Sequence, residues 1–513
     1  MLLLCGVLSA IPALANIPGG GTNGPNVTLT DNGSTVTIAN GTVSILCNKS
    51  GASLSQINYT YNNTGTPQTI NLLSGGTDGG QLYWENSSDE GLTFNYNLVS
   101  NPANNGGNYA EISMYSTSTT NDALEVHFSM LRGSTGFYVT AIYSHQSTNI
   151  AFGMGECRDN IYAGSIFNWM SVDPRRNRLM EVSGGSSIAV QGAPKEVTLW
   201  TSGIYSGQYE DKYKYSADLG VQQVWGWSSA GAGGKNVGLW NISASAEYYN
   251  GGPLKRELME HIGTTVLNML NGGHYGMGSD GFFTNNEVWT KVCGPYFIYC
   301  NSTNALATTN QTAQALYNDA LAQGAAEQTA WPYYWFINAN YATAVNRGAV
   351  TGQFVINDPG NPNASAANLW VGLVQQPSTP DNIYDFQQWM KPYQFWTKAD
   401  TNGNFVLTNV IAGINYTLYA FGPGVADTFM SQAQNGGSPP LIVDYPASQF
   451  AVGVTAGGTT NVSTVTWKPM RVAPTVFEIG YPDRAGDKFR HGDDWWVGDI
   501  GPSPAAPSPI WSK

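Results

Sequence analysis

The chain is expected to be all-β, built from β-sandwiches in series, and three observations predict this. Short runs rich in Val, Ile, Thr, Tyr and Trp recur between Gly/Asn/Ser clusters from about Asn26 to Val292, the pattern of many antiparallel strands. Charged residues make up only 11% of the chain while Gly reaches 60 of 513 residues, against roughly 25% charged in average soluble proteins. Helical periodicity is confined to one stretch, and the length suggests several cores rather than one.

Within the first region, Thr35-Val36-Thr37-Ile38 and Glu125-Val126-His127-Phe128 alternate as half-buried strands do. The helical stretch is Thr309 to Gln328, where Ala313, Leu316, Tyr317, Ala320 and Leu321 fall on one face. Pro332 and the cluster Trp331, Tyr333, Tyr334, Trp335 and Phe336 end it against an apolar surface. A second unit runs from about Ala349 to Trp467, with strands at Val350-Phe354, Gly403-Leu407 and Tyr416-Ala420, and reads as a small Ig-like or fibronectin III-like sandwich. A third begins near Thr475 and continues for fewer than forty residues, too few for a core of its own. The expected division is 1–15 as a signal peptide, 16–340 as a large sandwich, 341–472 as the fibronectin III-like unit, and 473–513 as a partial C-terminal unit with a Pro/Ser/Ala-rich tail.

Leu2 to Ala15 is apolar and ends in Ala13-Leu14-Ala15, the small-x-small pattern that signal peptidase needs before a cut at Asn16. No later apolar run reaches the roughly eighteen residues that cross a bilayer. Thirteen Asn-x-Ser/Thr sequons, among them Asn26, Asn58, Asn86, Asn241, Asn301, Asn363 and Asn415, fit a glycosylating secretory route. The expected location is extracellular. Without Cys5, four cysteines remain, Cys47, Cys157, Cys293 and Cys300, an even number that could pair in three ways in an oxidising compartment.

A net charge of -13 opposes nucleic acid and anionic membrane, because such binding rests on Lys and Arg neutralising phosphates. A monomer with neither kind of partner is expected. A polyanionic substrate would have to be held by a few local cations.

No P-loop, G-x-S-x-G elbow, H-E-x-x-H helix or G-x-G-x-x-G turn is present. Three small clusters carry the chemistry instead. His274 lies in Asn271-Gly272-Gly273-His274-Tyr275-Gly276, at the end of a strand. Glu210-Asp211-Lys212-Tyr213-Lys214-Tyr215 interleaves two cations with aromatics, a combination that binds a sugar acid by charge and by stacking on its apolar face. Gly155-Glu156-Cys157-Arg158-Asp159 supplies an arginine. Read alone, each has a plainer account: a surface histidine, an exposed salt-bridged strand, and a structural Glu/Arg pair.

Taken in order, these clusters, with Pro194-Lys195-Glu196-Val197, Val237-Gly238-Leu239-Trp240, Gly251-Gly252-Pro253-Leu254-Lys255, His261-Ile262-Gly263, and Trp289 with Gly294-Pro295, resemble the core of polysaccharide lyase family 4, the rhamnogalacturonan endolyases. Phe477-Glu478-Ile479-Gly480-Tyr481-Pro482-Asp483-Arg484 resembles the opening of that family's third domain. The resemblance spans roughly Glu156 to Arg484. It implies a mutarotase-like N-terminal sandwich bearing the active site, a fibronectin III-like middle sandwich, and the truncated start of a C-terminal carbohydrate-binding-like sandwich. It implies Lys212 and His274 as the catalytic pair, with Lys214 as the alternative lysine. Arg158 is implied to hold the substrate carboxylate, with Lys214, Tyr213 and Tyr275 also binding substrate. Met269 stands where some members carry a tyrosine.

The implied reaction is β-elimination across C4 and C5 of a galacturonate in rhamnogalacturonan I. Removing the C5 proton beside a carboxylate builds charge that a fixed cation, Arg158, would stabilise; one preorganised donor is worth roughly a hundredfold to a thousandfold. Lys212 would act as base if burial or a neighbouring cation lowers its pKa. His274 would protonate the departing glycosidic oxygen, and the two roles could be exchanged. No cofactor is required, since Arg and Lys are available to neutralise the carboxylate, and a structural calcium ion is compatible with the chain. The rival readings are a non-catalytic carbohydrate-binding protein on the same scaffold, a hydrolase or epimerase on a related sandwich, and a wall-associated adhesin.

Overall fold

The computed structural model describes residues 23–73, 82–86, 92–116, 121–174, 176–180, 187–189, 197–211, 215–218, 220, 223–231, 234–261, 263–272, 281–377, 386–387, 389–425, 427–432, 443–444, 446 and 448–470; at 85–86, 187–189, 197, 209–211 and 443–444 it describes backbone alone. The architecture is all-β with one α-helix among the described residues. Two nine-stranded sheets form the first body. One runs from strand Thr28–Asp31 at its edge to Cys157–Tyr162, Thr265–Asn271 and Glu260–His261 at the other. The second is centred on the 14-residue strand Trp289–Ser302, between Gly136–His145 and Val237–Ile242. Ile38, Ile45, Leu54, Phe128, Phe137, Trp225, Trp227, Leu239 and Ile298 fill the space between them.

Alternation along the strands decides what the other face of the second sheet does. Trp225 and Trp227 face the inter-sheet core, whereas Val224, Trp240 and Ile242 face outward and meet Leu316, Tyr317 and Ala320 of the helix Thr309–Ala330. A sheet covered on both faces has strands buried at every position, as in Val224–Ser229 and Val237–Ile242, so these lose the polar/apolar alternation of a one-sided sheet. The helix starts where the Thr308 hydroxyl accepts from the Gln311 N–H at 3.2 Å and ends before Pro332, which cannot continue the backbone ladder. Beyond it, Trp331, Tyr333, Trp335 and Phe336 pack on Tyr138 and Phe297, while Tyr334 is exposed.

The second body is a smaller sandwich. Strand Arg347–Ile356 pairs antiparallel with Asn404–Ile411 and parallel with Thr459–Trp467, and a six-stranded sheet around Trp370–Gln375 and Asn415–Phe421 faces it. Phe354, Val371, Leu373, Phe405, Leu418 and Trp467 form its core. Buried ion pairs tie it to the first body. Arg347 grips Glu247 at 2.6 and 2.8 Å, and Lys391 meets Glu287 at 2.6 Å. The Lys291 ammonium donates to the carbonyls of Met390 and Pro392; burial pulls its pKa down to about 8. A cavity of about 240 Å³ lies in this seam, lined by Glu247, Tyr249 and Gly252 on one side and Gln394, Trp396 and Leu407 on the other.

Two expectations are corrected here. Cys47, Cys157, Cys293 and Cys300 are all buried and none is in a disulfide: they sit on strands whose inner faces form the core, where a thiol packs as a small apolar group. Burial pushes the thiols of Cys47 and Cys293 up to about 12, far from the reactive thiolate range. Among the sequons, Asn241 and Asn301 are buried, and Asn301 spends its amide on the Leu316 carbonyl and Asp319 at 2.8 Å each, so neither offers a glycan site. Asn26 and Asn363 are exposed. The signal segment at 1–15 and the partial unit at 473–513 lie outside the described residues.

Candidate active site

Arg158 is placed by strand Cys157–Tyr162, which lies between Leu82–Asn86 and Thr265–Asn271. Successive side chains on a strand point to opposite faces. Cys157 and Asp159 therefore turn into the core, both at most 1% exposed, and Arg158 turns outward, its side chain 19% exposed. A bulge between Cys157 and Arg158 locally twists the strand at this point. The guanidinium Nη1 lies 2.6 Å from Glu156 Oε1, so Arg158 is held from its own chain. Behind it, the Tyr296 hydroxyl donates to Asp159 Oδ2 at 2.8 Å, and burial pushes the Asp159 carboxyl up to about 7.

The neighbouring strand carries the second part of the site. Arg158 pairs with Met269 and Cys157 with Asn271; opposed Cα atoms in such a ladder lie roughly 5 Å apart. Asn271 Nδ2 donates to the Gly155 carbonyl at 2.6 Å, which fastens the end of this strand to the Glu156-Arg158 segment. Gly272 follows, buried, two residues before His274. His274 and Tyr275 lie outside the described residues.

Lys212, Tyr213 and Lys214 also lie outside the described residues, and both of their flanks are fixed. Asp211 pairs with Val197 on one side. On the other, buried Tyr215 accepts the Met259 N–H at 3.1 Å, and the Met259 carbonyl accepts from Leu267 at 2.9 Å. Leu267 belongs to the strand beside Arg158. Through Arg256–Leu258, which pairs with Ser216–Asp218, the chain leaving Lys214 is thus tied to the strand entering His274.

Sequence reasoning passed over one pair. Lys255 and Glu257 are 4% and 0% exposed, with Nζ 3.6 Å from Oε2, and Lys255 also donates to the Gly272 carbonyl at 3.4 Å. A Cβ on Gly272 would fall on Glu257 Oε2 and Met269 Cγ, so only glycine lets the backbone lie against this pair. The buried charges therefore clamp the entry to the His274 segment. The signal was a Lys-x-Glu in a chain that spends few charges, and its partner Gly272 became visible only in three dimensions. Among the described residues, no cluster of three or more His, Cys, Asp or Glu could hold a metal ion, and no helix is long and apolar enough to cross a membrane.

Arg158 thus lies on a paired strand whose neighbour ends at Asn271. A family model described as polysaccharide lyase family 4, domain II, matches residues 365–462, within the smaller sandwich. The rhamnogalacturonate lyase of Dickeya dadantii is 26% identical over 373 residues, covering 72% of this chain and 54% of that protein. Two proteins of Emericella nidulans, probable rhamnogalacturonate lyase C and rhamnogalacturonate lyase B, are 24% and 23% identical, each over 77% of this chain and over 35% and 56% of their own lengths. The chain thus spans about half or less of the length of these curated relatives. The chain is thus similar to polysaccharide lyase family 4, domain II, over residues 365–462, and to rhamnogalacturonate lyases over about three quarters of its length.

Proposed function

We propose that the chain is a rhamnogalacturonan lyase that cleaves the bond between rhamnose and galacturonate in rhamnogalacturonan I by β-elimination, leaving a 4,5-unsaturated galacturonate. The observation that carries this reading is the pairing of Cys157-Arg158 with the strand that ends at Asn271 and enters His274. On this reading the cation for the uronate carboxylate comes from the strand next to the one that leads toward the candidate proton carrier. In this reading Arg158 binds the carboxylate and stabilises the charge that develops when the C5 proton leaves. Lys212 takes that proton and His274 returns one to the glycosidic oxygen at C4. Lys214, Tyr213 and Tyr275 hold neighbouring parts of the chain.

The reaction needs no cofactor in this scheme, because the Arg158 guanidinium supplies the positive charge at the carboxylate. We further propose that the protein acts outside the cell as a monomer, in keeping with its sequons and low charge density.

Cleavage in ¹⁸O-labelled water separates elimination from hydrolysis. The proposal requires that each new galacturonate-ended fragment be two hydrogens and one oxygen lighter than its hydrolytic counterpart, that the rhamnose-ended fragment keep the original glycosidic oxygen with no ¹⁸O from the cleavage, and that both be lost in Lys212→Ala and His274→Ala. Fragments that carry ¹⁸O would make the chain a hydrolase, and binding without cleavage would make it a carbohydrate-binding protein.

A further inference from the structure

Phe282 is the central residue of strand Gly281–Phe283, yet it is 57% exposed while both neighbours are buried. Its ring is not loose. On the facing strand it lies against Gly153, where a Cβ would sit 3.0 Å from Phe282 Cε1. Its edge meets Trp389 of the smaller sandwich, ring centroids 6.3 Å apart at 71°. Trp389 in turn has the Lys391 ammonium 5.9 Å from its ring, and Lys391 is itself locked to Glu287. One face of the Phe282 ring is therefore backed by glycine and braced by tryptophan, and the other is presented to solvent.

Two more exposed apolar side chains lie on the segments that flank this strand pair. Ile150 and Val288 are 49% and 64% exposed, and their segments are stitched together where Asn285 Oδ1 accepts the Ala151 N–H at 2.8 Å and the Asn149 carbonyl accepts the Asn286 N–H at 3.0 Å. An exposed ring with asparagine-bearing segments on the same connections suits a sugar ring with one apolar face and hydroxyls at its edge. Strand Phe152–Met154 leads into Glu156 and Arg158, and the five residues from Gly153 to Arg158 span at most ~18 Å, a reach that a short oligosaccharide covers.

We propose that Phe282, backed by Gly153 and braced by Trp389, is a stacking subsite for a pyranose ring of the polysaccharide at a distance from the bond that is cut. The smaller sandwich then contributes to substrate binding through Trp389. The inference rests on the lyase reading for the identity of the sugar chain.

The test uses the full chain, polymeric debranched rhamnogalacturonan and a short oligosaccharide of the same backbone, with two readouts: formation of unsaturated uronate, and retardation in gels that contain the polymer. In Phe282→Ala the ratio of kcat/KM on polymer to kcat/KM on the oligosaccharide falls about three- to tenfold, the range of one aromatic contact, and retardation weakens in parallel. Phe282→Trp restores both, Trp389→Ala lowers both, and Phe282→Leu, which keeps an apolar side chain without a ring, behaves as the alanine variant does. An unchanged ratio and unchanged retardation in the folded Phe282→Ala and Phe282→Leu proteins overturn the subsite and leave the lyase reading intact. A wild-type chain that forms no unsaturated product, yet loses retardation in Phe282→Ala, overturns the lyase reading and leaves the subsite standing.

Discussion

Arg158 bears most of the chemical argument because its position follows from strand alternation and one register, both set by backbone pairing. Replacing it with Ala is expected to lower kcat on rhamnogalacturonan about a hundredfold to a thousandfold. Arg158→Lys should recover part of that, since an ammonium keeps the charge but loses the planar fork that matches a carboxylate. Steady-state rates with circular dichroism as a folding control decide this, and a rate within threefold of wild type in Arg158→Ala would remove Arg158 from the mechanism. His127 makes a separate prediction about stability. It is buried against Glu111 at 2.6 Å and Glu125 at 3.2 Å; burial pulls its pKa down, but the two carboxylates outweigh that and hold it at about 9. A folded pKa above the unfolded value of 6.5 gives a contribution that is full below about pH 6.5 and is lost as pH rises through 9. Denaturant titrations between pH 6 and 10 should show the wild type losing on the order of 3 kcal/mol more than His127→Gln across that window; equal slopes would refute the ion-paired histidine.

The helix Thr309–Ala330 shows how much of an element a sequence contains. Its apolar positions recur at helical spacing and Pro332 stops it, so the stretch Thr309 to Gln328 is readable, and the structure extends it only to Ala330. The cap is equally local: Thr308→Ala should cost about 1 kcal/mol in thermal or denaturant unfolding, and a change below 0.3 kcal/mol would mean that packing on the second sheet alone holds the first turn. The strands at Thr35-Ile38, Glu125-Phe128, Val350-Phe354 and Tyr416-Ala420 were legible for the same reason, because alternation or β-branched runs are written within a few residues. What brings the site together is not local. The register of Cys157 with Asn271 joins segments far apart in the chain, and no short-range pattern encodes it. The Lys255–Glu257 pair against Gly272 escaped notice because two opposite charges two residues apart on a strand look like a solvated face until burial is known. The cysteines misled because their even number resembles a disulfide framework, whereas their strand positions make them core residues.

For the molecule as a whole, the seam between the two sandwiches is built from charge as well as apolar contact. Arg347 is 3% exposed and bonded to Glu247, the Asn409 carbonyl and the Ala342 carbonyl. Arg347→Ala would leave Glu247 buried without its cation, and is expected to destabilise the protein by about 3–5 kcal/mol. The double replacement Arg347→Met with Glu247→Leu should recover most of that loss, because it removes both charges and keeps their volume. Calorimetry checks both, and a double variant no more stable than Arg347→Ala would show that the pair does more than neutralise itself. A stiff seam also bears on function, since it fixes the segment around Phe386 and Met390 against Gly251 and Gly281, next to the strand that leads from the His274 segment. The smaller sandwich is therefore packed against the first through buried contacts rather than hanging from it as a separate module.

Elimination at a uronate is the chemistry proposed for this framework. Its most direct test is the ultraviolet absorbance of a C4–C5 unsaturated uronate, followed while the purified chain acts on debranched rhamnogalacturonan, with Arg158→Ala, Lys212→Ala and His274→Ala alongside. The account predicts a steady rise with the wild-type chain that falls by at least about a hundredfold in each folded variant. No rise with the wild type, or a rise that survives all three substitutions, would contradict it.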